Sequence, residues 1–206
     1  MWLKNGLKCK RMIILYTGNG KGKTTAALGA AIRALGYGER VIIIQFLKSW
    51  KTGETLFLEE LKKKNKKIEY YHFGSKEFIT KKQNIKEARR TSKNVRLINK
   101  GDKEKAEKAL ELFIKKTRQT KQTRKEQQKP FLIVLDEVNL AIHFKLLNKK
   151  SVLKAIKQAS KQGINIILTG RYAPREFYEI ADLITEMKSK KHPFDKGILA
   201  KKGIDF

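Results

Sequence analysis

Apolar residues along the chain fall into short continuous runs, separated by segments in which they recur every three or four positions. Met12–Tyr16 and Phe131–Leu135 are unbroken, and Val41–Phe46 and Ile164–Leu168 are nearly so, interrupted by Gln45 and Asn165; all are rich in Ile, Val or Leu. Such runs predict strands with both faces covered, as in a parallel sheet. Ile68–Phe73 is a weaker strand, and Leu183–Thr185 adds a last short one.

Between the strands the period becomes helical. Gly22–Leu35 is alanine-rich, with Leu28, Ile32 and Leu35 along one side, and Gly36 and Gly38 end it. From Asp102 to Lys116 an inward stripe is formed by Ala106, Ala109, Leu110, Phe113 and Ile114. Ser151 is placed to cap a helix that turns Val152, Leu153, Ile156 and Ala159 inward. Pro174 suits the first turn of a short helix reaching Ala181. Residues 117–129 lack the stripe and read as a polar loop within one domain covering residues 1–206.

Strands alternating with helices predict an α/β fold with a mostly parallel central sheet and helices on both faces. In such folds ligands bind beyond the carboxyl ends of the strands. At the first of those ends stands Gly18-Asn19-Gly20-Lys21-Gly22-Lys23-Thr24-Thr25, and the first helix follows at once. A strand, a glycine-rich turn and a helix opened by Lys-Thr make a P-loop. Loop amides and the positive helix end cradle phosphate, Lys23 reaches the terminal phosphates, and the Thr24 hydroxyl suits Mg²⁺ or Mn²⁺. Lys21 brings one more cation. The loop departs from the usual pattern: where its first glycine belongs the chain has Thr17, and Gly18 arrives one residue late.

Asp136 and Glu137 follow the run Phe131–Leu135 and therefore face the same cleft, where a hard cation wants oxygen ligands. Arg171, in Thr169-Gly170-Arg171, follows the run Ile164–Leu168 and is a candidate for neutralising phosphate charge. Arg33 lies eleven residues beyond Gly22, and a surface salt bridge competes with a nucleotide contact as its role. His72 and His143 have no metal-ligand spacing.

Composition narrows the class. Of 206 residues, 48 are Lys or Arg and 20 are Asp or Glu, a net charge of +28 that would suit a nucleic-acid partner. The basic runs, Lys62–Lys64 with Lys66 and Lys67, and Lys100–Lys129, are not interleaved with aromatics as a stacking platform requires, the single Phe113 belonging to the inward stripe, so nucleic acid is the weaker expectation and solvated surface the stronger. The longest apolar runs are five residues, far below the roughly 20 of a membrane helix. With no secretory pattern at Met12–Thr17 and a single cysteine, Cys9, a cytoplasmic protein without disulfides is expected.

These features give a P-loop nucleotide enzyme and leave its reaction open, because the cradle serves kinases, ATPases, GTPases and other transferases alike, with a RecA-like nucleic-acid-binding ATPase as a further alternative. A resemblance narrows it. Tyr16–Gly29, Arg33-Ala-Leu-Gly36 and Gln45-Phe-Leu-Lys48 resemble the ATP:corrinoid adenosyltransferases of cobalamin biosynthesis and salvage. So do Leu135–Ile142, Leu168–Arg171 with Ala173-Pro174, Ala181–Met187, Lys191-His-Pro-Phe-Asp-Lys-Gly197 and Gly203–Phe206. The resemblance implies a RecA-like fold and transfer of the 5′-deoxyadenosyl group of ATP to the Co(I) centre of a corrinoid, with release of triphosphate. It further implies ATP as co-substrate, an electron-donating reductase that reduces the cobalt, and a homodimer. Apolar residues near the corrin would displace the lower cobalt ligand. Within Phe73-Gly74-Ser-Lys-Glu-Phe78, which departs from the family's Gly-Phe-Thr-Trp form, Phe78 is the candidate, with core packing as its alternative. His192 is implied as a structural or corrinoid-contacting residue.

Overall fold

A computed structural model describes residues 11–48, 51–81, 85–86, 95–122, 130–191, 198 and 200–204. Six strands form one sheet: β1 (Ile13–Thr17), β2 (Val41–Lys48), β3 (Ile68–Ser75), β6 (Leu132–Asp136), β7 (Asn165–Thr169) and β8 (Leu183–Glu186), in the spatial order β3-β2-β6-β7-β1-β8. Every pairing in it is parallel. One strand, β7, therefore stands between the P-loop strand β1 and the acidic strand β6. Two short parallel strands, β4 (Phe78–Thr80) and β5 (Val95–Leu97), form a separate sheet.

Because side chains alternate across a strand, each central strand feeds two cores. On one face Val41, Ile43, Leu132, Val134 and Ile167 meet α1 (Lys23–Gly36) and α2 (Gly53–Lys64). On the other, Ile42, Ile44, Ile133, Leu135, Ile166 and Leu168 meet α3 (Lys100–Gln122), α4 (Val138–His143), α5 (Lys149–Lys161) and α6 (Arg175–Ile180). Helices cover both faces, as the uninterrupted apolar runs predicted. Among the described residues, no helix is long and apolar enough to cross a membrane.

Three expectations are corrected. The face of α1 against the sheet is Ala27, Ala31 and Ala34, while Ile32 is 51% exposed and Leu28 and Leu35 are only partly buried. Small side chains let this helix lie close to the strands and set the height of its first turn over the cleft. The polar stretch starting at 117 is not a loop at its beginning. Helix α3 continues to Gln122, anchored by the buried Thr117, whose hydroxyl donates to the Ile114 carbonyl at 2.9 Å. Residues 123–129 lie outside the described residues. Finally, α5 is capped by Asn148, whose side chain accepts from the Ser151 amide, so Ser151 lies inside the helix. Helix α2 was not anticipated, because its lysine-rich last turn masked a helix capped by Thr52 and Thr55.

At the edge strand β3 the half-buried Glu69 accepts from Arg40 at 2.5 Å, from the Tyr71 hydroxyl at 2.6 Å and from Lys116. Burial alone would raise this carboxyl, but hydrogen bonds from Lys116, Tyr71 and Arg40 outweigh it and hold the pKa near 2, below the ordinary 4.5. A group with a depressed folded pKa stabilises fully above its unfolded value, and this contribution is lost as pH falls from about 4.5 through 2. Glu69→Gln should therefore lower the melting temperature at pH 7, and the gap to the unsubstituted protein should close on acidification across that window. Thermal unfolding at stepped pH measures it.

Candidate nucleotide site

The cleft lies where β1, β2, β6 and β7 end. Thr17 closes β1, Gly18 turns with φ of 96°, and Gly22 caps α1 with φ of 110°. Both angles lie in the left-handed region that glycine alone enters freely. From the first turn of α1 the buried Lys23 folds back over the loop. Its ammonium donates to the Gly18 carbonyl at 2.8 Å and the Gly20 carbonyl at 2.5 Å. Burial lowers its pKa, the charges of Arg171 and Lys48 lower it further, and Glu137 and Asp136 oppose the shift.

Asp136, 1% exposed at the end of β6, is the hub. Its Oδ1 accepts from the Thr24 hydroxyl at 2.9 Å and the Thr169 hydroxyl at 2.6 Å, and its Oδ2 accepts from Gln45 Nε2 at 2.8 Å. Gln45 Oε1 in turn accepts from the buried Tyr70 hydroxyl at 2.8 Å. Burial and the Asp136 charge push the Tyr70 phenol well above its usual range, so it remains a neutral donor. Thr169 is the link across β7: it donates to Asp136 and accepts the Glu137 amide at 2.9 Å.

Glu137 follows with φ of 62°. Its Oε1 lies 3.0 Å from Lys48 Nζ, whereas its Oε2 is buried without a hydrogen-bond partner. Burial depresses the Lys48 ammonium, but Glu137 and Asp136 override this and raise its pKa above the usual lysine range. Gly170, with φ of 122°, passes so close that a Cβ there would sit 3.1 Å from Glu137 Oε2. Asn139 donates to the Gly170 carbonyl at 2.9 Å and thereby ties α4 to the turn carrying Arg171.

The loop also serves as a seat for the chain that follows β8. The Gly20 amide donates to the Met187 carbonyl at 2.7 Å, the Met187 amide to the Thr17 carbonyl at 2.9 Å, and the Ser189 amide to Asn19 Oδ1 at 3.1 Å. A Cβ on Gly18 or Gly20 would stand 2.4 or 2.7 Å from the Met187 carbonyl oxygen. Glycine is thus required here by the chain's own packing as well as by any phosphate. Gly20→Ala should force loop and strap apart, costing on the order of 1–3 kcal/mol and weakening ATP binding. Thermal melts with and without ATP measure both effects.

Of the residues expected at the site, Lys23, Thr24, Asp136 and Glu137 are brought together with the loop Gly18–Gly22, and exposed Arg171 bears on it electrostatically. Thr25 is exposed on the first turn of α1. Lys21 is directed elsewhere: its ammonium donates to the Ile204 carbonyl at 2.5 Å. Arg33 stands exposed in the last turn of α1, ten residues or roughly 15 Å along the helix from Lys23, and does not reach the loop. Phe78 lies in β4, its side chain outside the described residues, and His192 lies outside them altogether. The strand β4 is itself held by a clasp. Arg96 of β5 binds both oxygens of Asp102 at 2.7 and 2.8 Å and Glu77 at 2.6 Å. Sequence reasoning missed Gln45, Tyr70, Thr169 and Lys48. Gln45 left a signal as the one polar residue inside the run Val41–Phe46, and Lys48 and Thr169 only as members of the motifs Gln45–Lys48 and Leu168–Arg171 that carry the resemblance.

The family model for ATP:corrinoid adenosyltransferase BtuR/CobO/CobP matches residues 9–206. A corrinoid adenosyltransferase of Sinorhizobium sp is 31% identical over 200 residues, covering 96% of this chain and 81% of that protein. Corrinoid adenosyltransferase CobA of Salmonella typhimurium is 32% identical over 196 residues, covering 95% and 85%. The Escherichia coli K12 corrinoid adenosyltransferase is 31% identical over 201 residues, with 95% and 85% covered. With the phosphate loop, the acidic strand end and nearly the full length in agreement, the chain belongs to the ATP:corrinoid adenosyltransferase family.

Proposed function

We propose that this corrinoid adenosyltransferase binds the triphosphate of ATP over Gly18–Thr24, with Lys23, Thr24, Asp136, Glu137 and Arg171 as the working side chains. The observation that supports it most is the meeting of Thr24, on the loop helix, with Asp136, across an intervening strand. In the reaction the Co(I) electron pair attacks C5′ of ATP. A cobalt–carbon bond forms, the C5′–O bond breaks, and that electron pair leaves on the triphosphate. The nucleophile belongs to the substrate, so no protein base is required. The protein's contribution is to hold C5′ in line and to stabilise the charge that grows on the leaving group.

Lys23 performs the second task by exchanging the Gly18 and Gly20 carbonyls for phosphate oxygens, and Arg171 adds charge from the turn that follows β7. A magnesium ion fits the oxygen set. Glu137 Oε2 is a buried oxygen with no hydrogen-bond partner among the described residues, and the Thr24 hydroxyl donates to the preceding residue, Asp136. Asp136, saturated by three donors, aligns Thr24 and orders the ion's outer surroundings. When bound, the ion would supply charge neutralisation to the phosphates. On this reading Phe78 and His192 are corrinoid-side residues. An electron-donating reductase and a second copy of the chain complete the partners.

The test is to incubate the protein with Mg·ATP and a chemically reduced corrinoid in the dark and to identify the phosphorus products by ³¹P NMR. Triphosphate with a light-sensitive corrinoid supports the reading. ADP and phosphate formed without corrinoid would replace it with an ATPase, and light scattering tests the homodimer.

A further inference from the structure

The chain spends two unusual backbone conformations on one ion pair. Leu47, inside β2, has φ of 62°, and Glu137, at the end of the adjacent strand β6, has the same value. Neither residue is a glycine, and a left-handed leucine is costly unless its surroundings require it. The turn at Leu47 pushes the β2 backbone against β3. A Cβ on Gly74 would lie 2.3 Å from the Lys48 nitrogen, so this turn exists only because position 74 is glycine. Lys48, the last residue of β2, still pairs with Ser75 of β3, and its ammonium meets Glu137 at 3.0 Å, while its charge lowers the pKa of Lys23.

An ion pair serving stability alone could be formed by two exposed side chains in relaxed backbone. Here Asp136 is already engaged by Thr24, Thr169 and Gln45, so Glu137 is the carboxylate left to hold Lys48. A second ammonium beside that of the loop lysine is what a polyanion site calls for.

Building on the nucleotide site proposed above, we propose that Lys48 is a further triphosphate-binding residue of this enzyme. Glu137 keeps its ammonium poised at the cleft, and the terminal phosphates take it over as negative charge leaves C5′. Lys48 then serves the leaving group rather than the adenosine.

Isothermal titration calorimetry with tripolyphosphate, with ATP and with adenosine separates these roles in the full chain. Lys48→Met should weaken tripolyphosphate at least tenfold and leave adenosine unchanged, Lys48→Arg should recover most of the loss, and Lys154→Met, an exposed charge on α5, should change nothing. Should Lys48→Met alone fail to fold with Glu137 unpaired, Lys48→Met with Glu137→Gln buries no lone charge and, without magnesium, should bind tripolyphosphate at least tenfold more weakly than Glu137→Gln alone. Tripolyphosphate affinity within twofold of the Lys154→Met control would overturn the proposal and leave Lys48 as a structural counter-ion. If the unsubstituted protein bound neither ATP nor tripolyphosphate, the nucleotide site itself would be refuted, and Lys48's role with it.

Discussion

Lys23→Ala is expected to lower turnover about 10³-fold or more while the protein stays folded. Preorganised donors aimed at developing charge are each worth roughly 10²–10³ in rate, and a buried ammonium is a stronger donor than an amide. Lys23 is held where that donor is needed: only 8% exposed, on the first turn of α1, and bonded to the Gly18 and Gly20 carbonyls. Its loss exposes those two carbonyls to water and removes no apolar packing. The melting temperature should therefore move by only a few degrees, while ATP affinity and kcat fall together. Steady-state kinetics beside a thermal melt decide it, and retained turnover would show that the loop does not hold the phosphates.

Asp136 shows the opposite balance, with structure and activity failing together. Alanine at this position leaves Thr24, Thr169 and Gln45 pointing at a void in a site 1% exposed. Hydroxyls can rotate towards other acceptors, but the Gln45 amide is fixed by Tyr70. With one to two donors stranded, the cost is about 2–4 kcal/mol, or roughly 5–15 °C in a chain of this size. Asp136→Asn keeps the shape and still accepts from both hydroxyls, but turns an NH₂ group towards Gln45. It should fold with a smaller loss, yet turn over about 10²-fold more slowly because the negative charge that aligns Thr24 is gone. Melts and rates on the pair separate the two effects. Equal activity of Asp136→Asn and the unsubstituted protein would remove Asp136 from the site.

The strands, most helices and the phosphate loop were legible because each is written in neighbouring residues: uninterrupted apolar runs, a three-to-four period, and glycine before Lys-Thr. The failures arose where a local pattern met a distant surface. Ile32 fits the apolar stripe of α1, yet the sheet admits only alanine at that separation, so Ile32 points to solvent. The polarity of 117–122 suggested a loop, yet a helix already packed through Phe113 and Thr117 continues through it. Gly18 and Gly20 were legible as phosphate glycines, but nothing nearby in sequence announced that Met187 would lie against them.

By itself the sequence determined the class of ligand, the order of elements and the family, since all three are carried by contiguous motifs from Tyr16 to Phe206. The tertiary structure decided which strand ends face one another. With β7 inserted between β1 and β6, Thr169 becomes the bridge to Asp136, Thr24 reaches the same carboxylate, and Lys48 at the end of β2 meets Glu137. Those meetings join residues 24, 48, 136, 137 and 169, and strand order and register place such distant positions within a hydrogen bond of each other. Local propensity is silent on both, because it ends within a few residues of where it begins.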